Sequence, residues 1–154
     1  MSPDDERALS TLLSRRVATL GVIEGGEPVL GLVPFALARG GATAWVHLSR
    51  LSRHGRALAD GAVVSLLVHE DDAPDRDPLQ LQRLTLDAVA ATPADAEREA
   101  GCAAYLARFP DAAVTFGLGD FALWALRLRG GRLVAGFGRA RTVSSGDLAR
   151  LAPP

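Results

Sequence analysis

Short apolar runs alternate with turn-forming segments along most of the chain. Seven of these runs have the length and patterning of β-strands, and they cover residues 17–23, 29–38, 43–48, 62–69, 81–91, 119–129 and 132–137. The spacers 24–28, 39–41 and 130–131 each contain two glycines, which indicates hairpins. Strands joined mostly by hairpins predict a mainly β fold, a closed or partly closed antiparallel β-barrel with inserted helices, rather than a doubly wound sheet.

Helices are predicted between these strands and at both ends of the chain. Thr92 is expected to cap a helix with Pro93 at its first position, because a threonine cap followed by proline is typical of helix starts. The predicted helices cover residues 3–14, about 51–60, 93 to before Pro110, and 144–151. The segment 70–78 holds five acidic residues and is expected to be a solvated loop.

The size and charge of the chain limit its possible functions. A chain of 154 residues, 48% of them hydrophobic, is expected to form a single domain over residues 1–154. The formal net charge of −1 does not suggest a nucleic-acid partner. Because the acidic start is unlike a secretory signal and no apolar run is long enough to cross a bilayer, we predict a cytoplasmic protein with no membrane partner.

The residue types also exclude some chemistry. All 17 basic residues are arginines, so the chain has no lysine amine to form a Schiff base with a pyridoxal-type carbonyl. Cys102 is the one cysteine and cannot form an internal disulfide, and no cysteine–histidine spacing indicates a zinc or other metal site. No nucleophile, general base and orienting acid can be assembled, so any redox chemistry would belong to a cofactor.

The junction after the third predicted strand is a candidate phosphate site. Ser49 ends the strand, and Ser52, Arg53 and His54 open the next predicted helix. Hydroxyls, helix N–H groups and positive charge at one place suit a phosphate. The alternative is that Ser49 only caps the helix and the arginines form a solvated face.

Other candidates lie further along the chain. Alternation predicts that Arg83 shares one strand face with Asp87, where the two could form an ion pair. The glycines around Phe137 form a common turn and not a dinucleotide-binding signature. Of the remaining histidines, His47 is the more plausible ligand, whereas His69 at a strand end is expected to be solvent-exposed.

Several weak motifs in one order give the chain a family resemblance. They are Pro28 to Phe35, Leu48-Ser49 with Leu51 and His54, 64–67, 83–86, Asp120-Phe121 and 136–140. In this order the chain resembles the flavin-binding split-barrel family related to pyridoxamine-phosphate oxidase, in the branch that includes haem-utilisation proteins. The resemblance implies a homodimeric split barrel that binds flavin mononucleotide (FMN) near the subunit interface and acts as an oxidoreductase on a small molecule.

The same resemblance assigns roles to individual residues. Ser49, Ser52, Arg53 and His54 would hold the phosphate of FMN, and Arg83 would lie near the flavin ring. The resemblance also brings three further residues to the cofactor, which are Pro34, Phe35 and Phe137. Phe35 could equally be plain core. This chain has Gly31 where relatives carry serine, Gly55 where they carry threonine and Ala57 where they carry asparagine.

Two alternatives to a flavin enzyme stay open. The first is a haem-binding or haem-utilisation protein on the same fold, holding haem through His47 or His54. Relatives that degrade haem carry a C-terminal portion with a ligating histidine, whereas this chain has no histidine after His69, which argues against haem oxygenation. The second is a non-catalytic ligand-binding protein that has lost the cofactor.

Overall fold

Eight strands form one antiparallel sheet that curls into a half-barrel. The computed structural model describes residues 1–152. The strands are β1 Val17–Glu24, β2 Glu27–Pro34, β3 Ala36–Leu37, β4 Thr43–Ser49, β5 Val63–His69, β6 Arg83–Ala91, β7 Phe121–Val134 and β8 Ala140–Val143. Their spatial order is β2-β1-β5-β6-β7-β4-β3, with β8 paired to β7. The sequence-based expectation of a mainly β, barrel-type fold with helices is confirmed.

Within residues 1–152, five α-helices lie between or beside the strands, besides two short 3₁₀ helices. The α-helices are α1 Pro3–Leu13, α2 Arg53–Arg56, α3 Asp95–Arg108, α4 Ala113–Phe116 and α5 Ser145–Leu151. The apolar side of α1 fills the hollow of the half-barrel, where Leu9, Leu12 and Leu13 are fully buried. Truncating one such leucine to alanine typically costs about 2–5 kcal/mol, so α1 is part of the core. No helix among residues 1–152 is long and apolar enough to cross a bilayer.

Strand β4 is buried on both faces. Val46 and Leu48 face the main core as their alternation predicts, but Trp45 and His47 are also buried, against α3 and α4. Helix α3 approaches closely at Gly101, where a Cβ atom would come within 2.8 Å of the Trp45 ring. Alternation along this strand predicts that Trp45 and His47 share a polar face with Ser49. That prediction is wrong, because a second helical layer covers the face.

Two local helix predictions are corrected by the structure. The helix expected over residues 51–60 is reduced to the single turn α2. Thr92 does not cap α3: β6 runs to Ala91, the Thr92 N–H donates to Asp60 Oδ1, and the cap position falls on Ala94 without a side-chain hydrogen bond. These differences arise because tertiary pairing extends or ends an element beyond its local signals.

The two glycines at 130–131 do not form the expected hairpin turn. Strand β7 passes through them without interruption and pairs with β6, β4 and β8. Gly130 has a φ of 131°, beside a register shift between Asp87 and Ala88 on β6. A Cβ at Gly131 would collide with the Thr85 carbonyl oxygen. Glycine is needed here for a β-bulge and for close strand approach, which local sequence does not distinguish from a turn.

Candidate functional site

Ser49 and Ser52 are used in the turn between β4 and α2. The Ser49 hydroxyl donates to Asp120 Oδ2 at 2.5 Å and accepts from the Leu51 N–H at 3.1 Å. The Ser52 hydroxyl donates to the Ser49 carbonyl at 2.7 Å and accepts from the Gly55 N–H at 3.1 Å, which makes Ser52 the N-cap of α2. Both hydroxyls therefore stabilise the chain's own turn.

Arg53 and His54 also have partners within the chain. The Arg53 guanidinium donates to Glu24 at 2.6 Å and to Glu27 at 3.3 Å, and the Glu24 carboxylate raises the pKa of Arg53. The His54 ring lies on the core side of β2, where a Cβ at Gly31 would overlap it. Burial lowers the pKa of His54. We call these residues, with Ser49, Ser52 and Asp120, the α2 corner.

The α2 corner as it stands does not fit the phosphate of FMN. A phosphate dianion requires unused donors and positive charge, whereas Ser49 donates to a carboxylate and Arg53 is neutralised by two glutamates. The serine that relatives carry at position 31 would collide with His54. The assignment of this corner to FMN rests on the family resemblance and stays a prediction.

The other predicted cofactor residues are dispersed. Phe35 is fully buried in the main core, which is the alternative that the sequence left open, and Pro34 beside it is exposed. Arg83 is on the opposite side of the sheet from the His54 ring, because the buried residues Leu84 and Leu86 alternate with it. Within one chain, the sequence-predicted residues therefore fall into separate groups rather than one pocket.

Arg83 belongs to a surface that sequence reasoning did not identify. We call this solvent-facing side of β2, β1, β5, β6 and the end of β7 the outer face. Its β2 and β1 part is apolar: Leu30 and Leu32 are 70% and 71% exposed, and Ile23 is 57% exposed. Exposed apolar side chains grouped in this way are typical of a binding surface.

Next to the apolar part of the outer face, β6 and β7 carry two arginines, Arg83 and Arg132. Register places Arg83 opposite His69 on β5 and opposite Val134 on β7, and places Arg132 on the same face opposite Thr85. The Arg83 guanidinium donates to the Leu81 carbonyl at 3.0 Å. In the described part of the chain, neither arginine forms an ion pair. The predicted placement of Arg83 on a face with Asp87 is confirmed, but the alternative ion pair does not form.

Two open cavities flank the His69–Arg83 pair. The His69 cavity, of about 500 Å³, is floored by Val17, Leu32 and Leu67. Its rim carries Arg15, which is ion-paired with Asp71 at 2.8 Å. The size lies within the range of small-molecule sites.

The Arg83 cavity, of about 370 Å³, contains Arg83, Arg132 and the exposed Phe137. Apolar floor and unpaired cations thus adjoin on one surface.

The three histidines have very different environments. His47 is 7% exposed, stacks on Phe116 with ring centroids 3.8 Å apart, and shares a hydrogen bond with Thr115 at 3.2 Å. Burial lowers the pKa of His47 to about 4, with a smaller contribution from Arg98. His54 is packed in the α2 corner. His69 is exposed, as the sequence predicts, and it lines the His69 cavity. A ligand role for His47 stays a prediction from the sequence.

One sequence signal could have revealed the outer face. In β2, Val29 and Val33 face the core, yet Leu30 and Leu32 between them are also apolar. A strand that is apolar on both sides while one side is open to solvent indicates a contact surface. Arg132 and the cavity floor gave no comparable signal, because their proximity depends on strand register.

Comparison with known proteins places this architecture in a family. No protein-family model matches the sequence. The chain is 32% identical over 141 residues to haem oxygenase HutZ of Vibrio cholerae, an alignment that covers 87% of this chain and 77% of HutZ.

Solved structures agree with that alignment. The structure of a haem-binding protein from Mycobacterium smegmatis has a TM-score of 0.82 and 30% identity, covering 97% of this chain and 61% of that protein. This chain therefore spans less than two thirds of the mycobacterial protein. The crystal structure of HutZ, described as the haem storage protein of Vibrio cholerae, has a TM-score of 0.69 and 27% identity over 85% of this chain and 94% of HutZ. The chain belongs to the haem-utilisation branch of the split-barrel family related to pyridoxamine-phosphate oxidase.

Proposed function

We propose that this protein binds haem on the outer face, as a haem-utilisation protein. The observation that carries the proposal is the juxtaposition of the apolar floor at Val17, Leu32 and Leu67 with Arg83 and Arg132, neither of which forms an ion pair in the described part of the chain. Haem is a flat apolar macrocycle with carboxylate groups at one edge, so it requires this combination of surfaces.

The residues of the outer face fit that ligand better than the α2 corner fits FMN. Arginine side chains can bind carboxylates through two parallel hydrogen bonds. Leu32 and Leu67 would cover part of the macrocycle, and Phe137 at the edge of the Arg83 cavity could contact it as well. The comparisons support the same ligand, since HutZ and the mycobacterial relative are both named for haem.

A bound haem would supply redox-active iron, and the chain would supply binding and orientation. Arg83 and Arg132 would fix the carboxylate edge, because each lies on a strand rather than in a loop. The apolar floor would exclude water from one side of the macrocycle. An FMN-dependent oxidoreductase, or a cofactor-free binding protein, stays a prediction from the sequence.

Parallel titrations with haemin and FMN test the proposal. Wild-type protein should develop a Soret band that saturates with haemin and should retain no flavin absorbance after desalting. Arg83→Ala should weaken haemin binding about tenfold, because a charge-assisted hydrogen bond contributes about 1.5–3 kcal/mol. Arg39→Ala, in an exposed turn away from both cavities, is the matched control. Retained FMN without a haemin complex would overturn the proposal.

We also propose that a second copy of the chain covers the remaining apolar part of the outer face. Ile23, Leu30 and Val63 are 57%, 70% and 66% exposed there. Burying apolar side chains of this exposure against a partner removes them from water and so favours association. Leu30→Asp should shift the mass measured by light scattering from dimer to monomer, and a monomeric wild type would refute this arrangement.

A further inference from the structure

His69 lies where the two cavities of the outer face meet. It lines the His69 cavity and pairs in register with Arg83, which lines the Arg83 cavity. An apolar ligand seated on Val17, Leu32 and Leu67 would therefore contact the His69 ring. Neither His47 nor His54 reaches this surface, because the His47 ring stacks on Phe116 and the His54 ring lies over Gly31 on the core side of β2.

The hydrogen bond of His69 determines which ring nitrogen is available. Its Nδ1 lies 2.5 Å from the Glu70 carbonyl oxygen. A carbonyl can only accept, so Nδ1 carries the proton and the neutral ring has its lone pair on Nε2. Metal-binding histidines almost always donate their second ring N–H to a carbonyl or carboxylate in this way.

Glu70 is itself held in place. Its N–H donates to the Gln82 carbonyl at 2.9 Å, and its carboxylate accepts from the Gln82 N–H and from Arg76, each at 2.9 Å. The carbonyl that orients His69 is thus anchored across the end of the β5–β6 pair. When the hydrogen-bond partner of a histidine is held in this way, the tautomer and the direction of the metal-ligating ring are fixed.

We propose that the Nε2 atom of His69 would bind the iron of haem held on the outer face. This inference rests on the proposed haem-binding function. In this arrangement the iron would be bound by the last residue of β5. Arg83, on the neighbouring strand β6, would bind a carboxylate group of the same haem.

Spectroscopy of the haem-loaded full chain tests the assignment. Wild-type ferrous protein should show an iron–imidazole stretching band in resonance Raman spectra. His69→Ala should lose that band, and added imidazole should restore an imidazole-type spectrum by occupying the vacated position. The control is Asp72→Ala, an exposed substitution in the loop that follows β5, outside both cavities, and it should retain the wild-type band.

The outcomes separate the two proposals. A wild type that does not bind haemin overturns both the haem function and the ligand assignment. Haemin binding with the same iron–imidazole band in wild type and His69→Ala overturns only the assignment. Loss of the band, or of haemin binding, in His69→Ala with recovery in imidazole supports the assignment, provided that circular dichroism shows the fold unchanged.

Discussion

The α2 corner and the outer face contain similar residues in opposite states. Each has arginines and a histidine beside a strand end. In the corner, Arg53 is ion-paired with two glutamates and His54 is packed over Gly31. On the outer face, within residues 1–152, Arg83 donates only to a carbonyl and His69 keeps one ring nitrogen without a partner. Residue type alone makes both places candidate binding sites. The hydrogen bonds and ion pairs within the chain show that the donors of the corner are used structurally, whereas those of the outer face stay available to a ligand.

Charge reversal on the outer face should give the largest effect. Replacing Arg83 and Arg132 together with glutamate should lower haemin affinity about 100-fold or more, because two charge-assisted contacts are lost and repulsion is added. Titration of the Soret band measures the change. The double variant Arg7→Glu with Arg39→Glu alters net charge equally at exposed positions elsewhere and should bind like wild type. Equal losses in both double variants would show that net charge, not this surface, governs binding.

Gly31→Ser tests whether the α2 corner has room for a side chain beside the His54 ring. The new side chain must displace the His54 ring, so the free energy of unfolding should fall by up to about 3 kcal/mol, as in other overpacked sites. Urea denaturation measures it. Gly119→Ser, where a Cβ meets no atom within 4 Å, is the matched control. Unchanged stability together with new FMN binding would instead mean that His54 moves readily to open a phosphate site.

The pH dependence of stability tests the burial of His47, in contrast to the exposed His69. The His47 pKa of about 4 in the fold lies below the ordinary value of 6.5, so the unfolded chain binds more protons between these values. The contribution of His47 to stability is therefore complete above about pH 7 and should fall by about 2 kcal/mol on going to pH 5.

Denaturation midpoints across this pH range measure the effect of His47. The variant His47→Gln should have a flatter profile, since the titrating ring is gone. A profile as steep as that of wild type would assign the pH dependence to other groups.

The smallest effect is expected for Arg53→Ala. Its ion pairs with Glu24 and Glu27 are exposed, and such pairs contribute little to stability. Haemin affinity and the denaturation midpoint should both match wild type within error. A loss of FMN affinity in this variant would restore the phosphate role that the sequence resemblance gives to Arg53.

The fold was largely predictable from the sequence. Alternation of apolar residues identified most strands, and motif order identified the family. Elements that depend on distant contacts were not predictable: the glycines at 130–131 resemble a turn, but β7 continues through them because β6 approaches closely. Likewise, the second face of β4 is buried by α3 rather than by anything in its own sequence.

The candidate site was predicted only in part. Arg83 was identified from its strand position, but its neighbours depend on register. Arg132 and His69 are separated by more than sixty residues in sequence, and the β5–β6–β7 pairing places both beside Arg83 or Thr85. The local order of Ser49 and Arg53 could not show that Asp120 and Glu24 use their donors, because those partners come from other strands and loops.

The buried carboxylate of Asp5 joins the first helix to the turn before β8. It accepts from Arg139 at 2.7 Å and lies 3.6 Å from Arg141, on either side of the start of β8. The turn carries Phe137 at the edge of the Arg83 cavity. Helix α1 and this hairpin should therefore open as one cooperative unit in hydrogen exchange. Fraying at the start of the chain would then expose amides of β8 far along the sequence while the central strands stay protected.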